Sequence, residues 1–523
     1  MVDLLEKLQK VSNLVQMCRV TGCFAVDILN RGQGIRTMTL LLYYCRERNI
    51  HVPRSDKVGE KFKGAMVLPP KKGMCQDVVI CIDFASLYPS IMRALNMCYS
   101  TLVSNEEIEK NGWVEGEHVR TVPDYNWVDG RLIVTHNPNN CSFLTPKVRQ
   151  GILPLMLGTL YDERKKVKTQ MKMHYGTDLY PILDGKQLAL KVVMNSMYGF
   201  TGATDGFLPE PRIASSVTKY GRGLIQRTMD SVNNNPAWKG SEVIYGDTDS
   251  CFVRLSREFC DGGEELIQNA HAQGERMAAE ITKMFLEPIL MEYEKAYAPP
   301  FVLYAPKRYF GKKYEPGKKM EIDIKGFECI RRDYCPMVIK TQRKLIEMVL
   351  DSKIDEGVAY VQGVMKKLYA GQIPVDDLVL SRNLSRKPED YKTAGAHVEL
   401  AKRLNGKYQA GERVEYFIKA GREPLNQRAI EREELSKYPL DYKYYAEKQL
   451  WNPIQRIMDL VVGRKVFKKR AITAPIRAGS MLKYVKVGAK RRRSPGTGVP
   501  GVPPGVPRTP ETGSILKYFN VKE

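Results

Sequence analysis

The chain has 523 residues, enough for several domains with large cores. Its net charge of +23 fits a polyanionic partner, most simply nucleic acid, although a merely well-solvated basic surface gives the same balance. Eleven Cys with no CxxC pair argue against a zinc ribbon or a disulfide scaffold, no apolar run reaches transmembrane length, and MVDLLEKLQK lacks a signal-peptide pattern. The expectation is an intracellular chain with reduced thiols and no membrane partner.

Residues 3–20 carry Leu4, Leu5, Leu8, Val11, Leu14 and Val15 at helical spacing, which predicts one amphipathic helix. Residues 55–75 read as loop and a short strand. Val78–Ile82 is an apolar run that predicts a buried strand ending in Asp83, followed by a turn and a helix over Ile91–Leu95. Residues 101–146 are loop-rich and strand-like, with Trp113 and Trp127, and carry no assigned chemistry. Residues 147–202 predict two long helices joined near Gly176-Thr177-Asp178. On the first, Arg164 and Lys168 stand at i, i+4 beside Lys165 and Lys166, which reads as an anion-binding face or as a solvated basic one. On the second, Lys191, Asn195 and Tyr198 fall on one face.

Tyr245-Gly246-Asp247-Thr248-Asp249-Ser250 follows an apolar lead-in and precedes a second strand, Cys251–Val253. A turn between the two strands would hold Asp247 and Asp249 at its tip, with Gly246 permitting the tight backbone. Carboxylates this close repel unless a cation sits between them, so the turn is either a metal site or an Asp-rich surface loop. From 336 to 463 the pattern is helical, with loops at Gly371, 384–390 and 405–412. Residues 460–510 hold thirteen Lys or Arg and no Asp or Glu, and GTGVPGVPPGVPRTP (496–510) has too little apolar bulk to pack.

Taken in order, DFASLYPS (83–90), KVVMNSMYG (191–199) and YGDTDS (245–250) resemble motifs A, B and C of the family B DNA polymerases. Collinear flanks extend the likeness from about Leu4 to about Val462, among them RVTG…LNRGQGIR (19–36), VRQGILP (148–154), EYEKAY (292–297), KRYFG (307–311) and KGFECIRRD (325–333). Within the family the likeness is to the delta-type catalytic subunits of eukaryotes and large DNA viruses. The resemblance implies an α+β right-hand fold with an antiparallel-sheet palm, helical-hairpin fingers and a helical thumb. It divides the chain into a helical connector (1–57), palm (58–146), fingers (147–202), palm again (203–335), thumb (336–463) and a basic, disordered tail (464–523). The family's exonuclease motifs belong upstream of residue 1, so none is expected here. Its two C-terminal four-cysteine clusters are missing, so neither zinc nor an iron–sulfur cluster is expected.

The resemblance also implies roles. Template-directed nucleotidyl transfer uses two Mg²⁺ ions about 4 Å apart. Asp83 and Asp249 would bridge them, helped by the Phe84 carbonyl, with Asp247 the weaker ligand. The Ser86 and Leu87 amides, Arg164, Lys168, Lys191 and Asn195 would meet the incoming triphosphate. Tyr88 would lie under the sugar and exclude a 2′-hydroxyl, while Tyr198 and Gly199 pack on the nascent base pair. Glu292 and Glu294 resemble acidic residues near the triphosphate, or else serve as ordinary salt-bridge partners. Thr248, Lys307, Arg308 and Tyr309 would contact DNA; the family's first Lys of the KKRY motif is Pro306 here.

Near the end, Thr512, Ile515, Tyr518 and Phe519 resemble a sliding-clamp-binding peptide, which needs one aliphatic and two aromatic plugs on one helical turn. GSMLKYVKV (479–487) resembles the same segment, with Val485 in place of the second aromatic. The expected partners are primer–template DNA, deoxynucleoside triphosphates and a sliding clamp, in the nucleus or a viral replication compartment. The rival expectations are a catalytically inactive scaffold of the same fold and a translesion enzyme of the same family.

Overall fold

A computed structural model describes residues 2–52, 62–128, 131–135, 140–259 and 265–463. The tail from 464, including Ile515, Tyr518 and Phe519, lies outside the described residues. The chain forms two compact units, Met1–Pro69 with Ile80–Glu294 and Pro70–Val79 with Lys295–Glu523.

The first unit opens with helices α1 (Val2–Lys7), α2 (Lys10–Thr21), α3 (Ala25–Asn30) and α4 (Gln33–Arg46). The single helix expected over 3–20 is broken at Gln9, whose φ of +50° is left-handed. The break resets the helical phase, so the apolar spacing counted across it does not build one buried face. Leu4, Val11 and Val15 are instead exposed, at 56%, 62% and 41% of their accessible area. The polar side of α2 turns inward: Gln16 is buried, and Asn13 Oδ1 sits so close to Gly185 that a Cβ there would come within 2.5 Å of it.

The sheet of this unit runs β1 (Val67–Leu68), β3 (Glu242–Asp247), β4 (Ser250–Arg254), β2 (Val79–Phe84), with the opening residues of β5 (Met291–Ala305) next to β2. Val79, Ile80 and Ile82 are fully buried, as the continuous apolar run required, and each stabilises the fold by roughly 1.5–3 kcal/mol. The strand continues through Asp83 to Phe84. The following helix, α5 (Leu87–Ala94), starts four residues earlier than the sequence suggested. Pro89 falls in the first turn of α5, where its missing N–H costs nothing.

Two long helices, α6 (Ile152–Met173) and α7 (Leu179–Gly202), pack against each other, and α8 (Pro211–Asn234) packs against α5 and α7. Along α8 most core-facing positions are small or aliphatic, from Ile213 and Ala214 to Val217, Leu224 and Ile225, with Tyr220 and Gln226 also buried. A further helix, α9 (Leu266–Thr282), precedes β5.

In the second unit, β5 pairs antiparallel with β6 (Arg308–Tyr314), and β6 pairs with β7 (Glu321–Lys325). The short strand Gly73–Cys75 adds to β5 at Phe301–Leu303. Helices α10 (Pro336–Leu350) and α11 (Ile354–Tyr369) follow. The expectation that 336–463 is helices joined by loops is corrected here. Strands β8 (Leu380–Asn383), β9 (Arg413–Ile418) and β10 (Ala429–Ile430) form a three-stranded antiparallel sheet beside α12 (Ala396–Arg403). Along Arg413-Val414-Glu415-Tyr416, exposed and buried residues alternate with the period of two that marks a strand, a signal too short to stand out beside HVELAKRL.

Candidate active site

Strands β3 and β4 form a hairpin in which Asp247 faces Ser250, leaving Thr248-Asp249 as a two-residue turn. The sequence assigned the tight backbone to Gly246, but the left-handed residue is Thr248, at φ +65°. A β-branched residue there is strained. Backbone bonds hold the turn: the Thr248 N–H donates to the Met66 carbonyl at 3.2 Å, and the Asp249 N–H donates to the Asp247 carbonyl at 2.7 Å. Gly246 sits inside β3 for another reason. A Cβ there would be 2.8 Å from Leu68 Cδ1.

The end of β2 is joined to this turn through the Phe84 N–H, which donates to the Asp249 carbonyl at 2.9 Å. Asp83 and Asp249 are therefore on neighbouring strand ends. The Cys251 thiol, wholly buried beneath them, registers both: burial first, then Asp83 and Asp249, push its pKa up to about 12. The Asp247 carboxylate accepts the Thr248 hydroxyl at 3.3 Å. Cys81, also on β2, donates its thiol to Glu294 Oε2 at 3.5 Å. Among the described residues no three His, Cys, Asp or Glu side chains converge into a finished ligand set. Two adjacent carboxylates with hard oxygens still suit Mg²⁺, which commonly takes only one or two protein carboxylates and completes its shell from substrate phosphates and water.

Beyond the turn, Ser86 caps α5 with a left-handed φ of +53° and no side-chain hydrogen bond to the first helical amides. One turn along, Tyr88 meets Tyr198 of α7. Burial raises the Tyr88 phenol to about 12, with Tyr198 and Asp249 adding to the shift, so the ring is neutral at any physiological pH. Arg222 of α8, which the sequence reading passed over, borders both phenols and pulls their pKa values the other way.

Helix α7 divides cleanly. Val193, Met194, Met197 and Phe200 are buried, whereas Lys191, Asn195 and Gly199 are exposed and Tyr198 is half-buried. Nothing lies within 4 Å of where a Gly199 Cβ would stand. Across from α7, Arg164 of α6 is steered by Gln187 Oε1, at 3.3 Å from one terminal nitrogen, and Lys186 pairs with Glu163 at 2.6 Å. These cross-links settle the register of the basic face. Lys168 is held below its ordinary pKa, by burial first and then by Arg164, while Lys191 and Lys172 act in the same direction and Glu292 opposes them. Arg164 is likewise lowered by burial and raised by Glu292. The structure thus brings Arg164, Lys168, Lys191 and Glu292 within electrostatic reach of one another, three like charges with one counter-ion.

The remaining predicted residues lie in the second unit. Lys307 has a left-handed φ of +60° and is exposed. Tyr309 is buried against Phe301 and Tyr297, with ring centroids 5.7 and 6.2 Å away, so its ring serves the core. Arg308 approaches Glu328 at 3.9 Å; that carboxylate, 1% exposed, also takes Arg456 and the Gln342 amide. Burying a carboxylate demands such partners.

Residues 25–461 match the family model described as DNA polymerase family B. The DNA polymerase delta catalytic subunit of Oryza sativa subsp. japonica is 36% identical over 88% of this chain and 41% of its own length. That of Candida albicans is 34% identical over 99% of this chain and 47% of its own length, and that of Drosophila melanogaster 35% identical over 88% and 42%. The chain therefore spans less than half the length of these curated relatives. Among solved structures, the family B DNA polymerase from the hyperthermophilic archaeon Pyrobaculum calidifontis aligns with 88% of this chain and 55% of that chain, with a TM-score of 0.62 and 28% identity.

Proposed function

The chain belongs to DNA polymerase family B, and from that premise we propose that it adds deoxynucleotides to a primer 3′-hydroxyl under the direction of a DNA template. The observation that carries the reading is the Phe84–Asp249 backbone bond, which sets Asp83 and Asp249 on adjacent strand ends above one buried thiol.

Asp83 and Asp249, with Asp247 and the Phe84 carbonyl, would hold Mg²⁺. When bound, two such ions activate the attacking hydroxyl and neutralise the pyrophosphate leaving group. The chain's own residues do the rest. Arg164, Lys168, Lys191 and Asn195, with the first amides of α5 at Ser86 and Leu87, bind and orient the triphosphate, and the cation cluster on α6 and α7 supports that role. Tyr88 bars a 2′-hydroxyl, a role that suits a neutral ring packed on Tyr198. Tyr198 and the open surface at Gly199 receive the new base pair. Glu292 tempers the positive cluster, and Glu294 stands beside β2. Thr248 at the turn, and Lys307 in the second unit, meet DNA; Arg308 and Tyr309 hold the Lys307 turn in place from the interior.

In this reading the segment at Ile515, Tyr518 and Phe519 tethers the enzyme to a sliding clamp and raises its local concentration at the primer end. The chain then acts where DNA is replicated, in the nucleus or a viral replication compartment. Primer extension with the purified chain tests the reading. Templated extension that Asp83→Asn abolishes is expected; a folded parent that extends no primer in Mg²⁺ overturns it. For the tether, Tyr518→Ala with Phe519→Ala is expected to shorten products on a long template only when a clamp is loaded.

A further inference from the structure

Residues Phe62–Leu68 form a strap that joins two parts of the first unit. At one end its carbonyls are held by α8: Thr218 Oγ1 donates to Lys63 O at 2.9 Å, and one Arg222 terminal nitrogen donates to Lys63 O at 3.0 Å and Gly64 O at 2.8 Å. Phe62 lies close under α7, where a Cβ on Gly202 would stand 3.0 Å from its ring. At the other end Met66 O accepts the Thr248 N–H, and Val67 and Leu68 pair with Asp247 and Gly246. The strap thus supplies the acceptor for the backbone N–H of the strained Thr248.

Arg222 is the junction. Its guanidinium grips the strap and lies within electrostatic reach of the Tyr88 and Tyr198 phenols. Its neighbour Gly221 shows how closely α8 passes Tyr88: a Cβ there would stand 3.5 Å from Tyr88 Cε1, in ordinary van der Waals contact. Lys63 and Gly64 are exposed, so their carbonyls gain order from Arg222 and Thr218 rather than from burial.

We propose that Arg222 is a positioning residue for sugar selection: it locks Tyr88, Tyr198 and the 62–68 strap into one body and, through the strap, sets the Thr248 turn between Asp247 and Asp249. It acts through Tyr88 and the strap carbonyls, not by touching the nucleotide. The inference rests on the nucleotide-adding reading of the site.

The test compares the full chain with Arg222→Gln and Arg222→Lys. Two measurements are made: kcat and KM for a deoxynucleotide and its ribonucleotide counterpart on one primer–template, and amide hydrogen exchange over 62–68 and 245–250. Loosening the ring and turn should lower the deoxy-to-ribo ratio of kcat/KM by roughly tenfold to a hundredfold in Arg222→Gln. Exchange at Thr248 should quicken. Arg222→Lys, whose ammonium can still reach both carbonyls, should recover most of both. A folded Arg222→Gln with the parent's ratio overturns the sugar-selecting role, and one with the parent's exchange at Thr248 overturns the strap. If Arg222→Gln does not fold, Thr218→Val removes one strap bond and is read the same way, with a smaller loss expected. A parent that extends no primer fails the polymerase reading instead, and hydrogen exchange still decides the strap.

Discussion

Tyr88 stands against Tyr198 with ring centroids 4.5 Å apart and planes inclined at 45°, one ring from α5 and the other from α7. A single turn after Asp83 and a single face of α7 are thereby set by one aromatic contact. Such contacts contribute about 0.5–1.5 kcal/mol beyond their buried area, enough to keep a wall in place without fixing it rigidly.

Tyr88→Ala should therefore admit ribonucleotides while leaving deoxynucleotide insertion measurable. Single-nucleotide insertion with each substrate checks this. Equal discrimination in variant and parent would remove Tyr88 from the sugar contact.

Asp83→Asn and Asp249→Asn should each reduce extension in Mg²⁺ by at least a thousandfold, or ~4 kcal/mol of transition-state stabilisation. Neither should unfold the protein, because each relieves repulsion between neighbouring carboxylates. Rapid-quench extension, paired with a thermal melt, separates the two effects. Near-normal turnover in either variant contradicts the assignment.

Lys168→Ala and Lys191→Ala should raise the KM for the incoming nucleotide by about ten- to a hundredfold, as expected for losing a charge-assisted phosphate contact. Glu292→Gln should act in the opposite sense on binding, since it removes a carboxylate that acts on both Arg164 and Lys168. Steady-state kinetics at fixed primer–template would show it. Unchanged KM in both Lys variants would return this face to mere solvation.

A pH effect is expected in the second unit. Glu315 lies 2.7 Å from Lys313 and also pairs with Lys318, which together hold its carboxyl near pKa 2, against an ordinary 4.5. A carboxyl depressed on folding stabilises the protein fully above pH 4.5, and that contribution disappears as pH falls through about 2. Because the groups sit near the surface, the amount is below about 1 kcal/mol. Denaturant melts at pH 7, 4 and 3 should show the parent's advantage over Glu315→Gln shrinking with acid; a constant gap refutes the linkage.

What could be read from the sequence followed the strength of the local signal. The 79–82 strand, the two helices α6 and α7, and the face carrying Lys191, Asn195 and Tyr198 each had a long or repeated pattern behind them. The hairpin was legible, but the reason for its turn was not: nothing in a sequence says that Thr248, rather than Gly246, takes the left-handed conformation, because the bond that permits it comes from Met66, 182 positions earlier by numbering. The α1–α2 break failed for a related reason, since Gln9 carries no breaker signature. Arg222 was invisible because its partners are backbone carbonyls, which leave no trace in side-chain spacing. The β8–β9–β10 sheet was lost to strands of two to six residues.

The pairing of Gly73–Cys75 with Phe301–Leu303 also bears on how the chain is made. A ribosome releases the first of these strands more than two hundred residues before its partner exists. The second unit cannot complete its sheet edge until that partner emerges, and closing so long a loop adds an entropic cost that local helices never face. Until then Gly73–Cys75 is an unpaired edge in the nascent polypeptide, the kind of segment that recruits chaperones or wrong partners. Synthesis therefore offers this unit no early foothold, and its assembly waits until Phe301–Leu303 has left the ribosome.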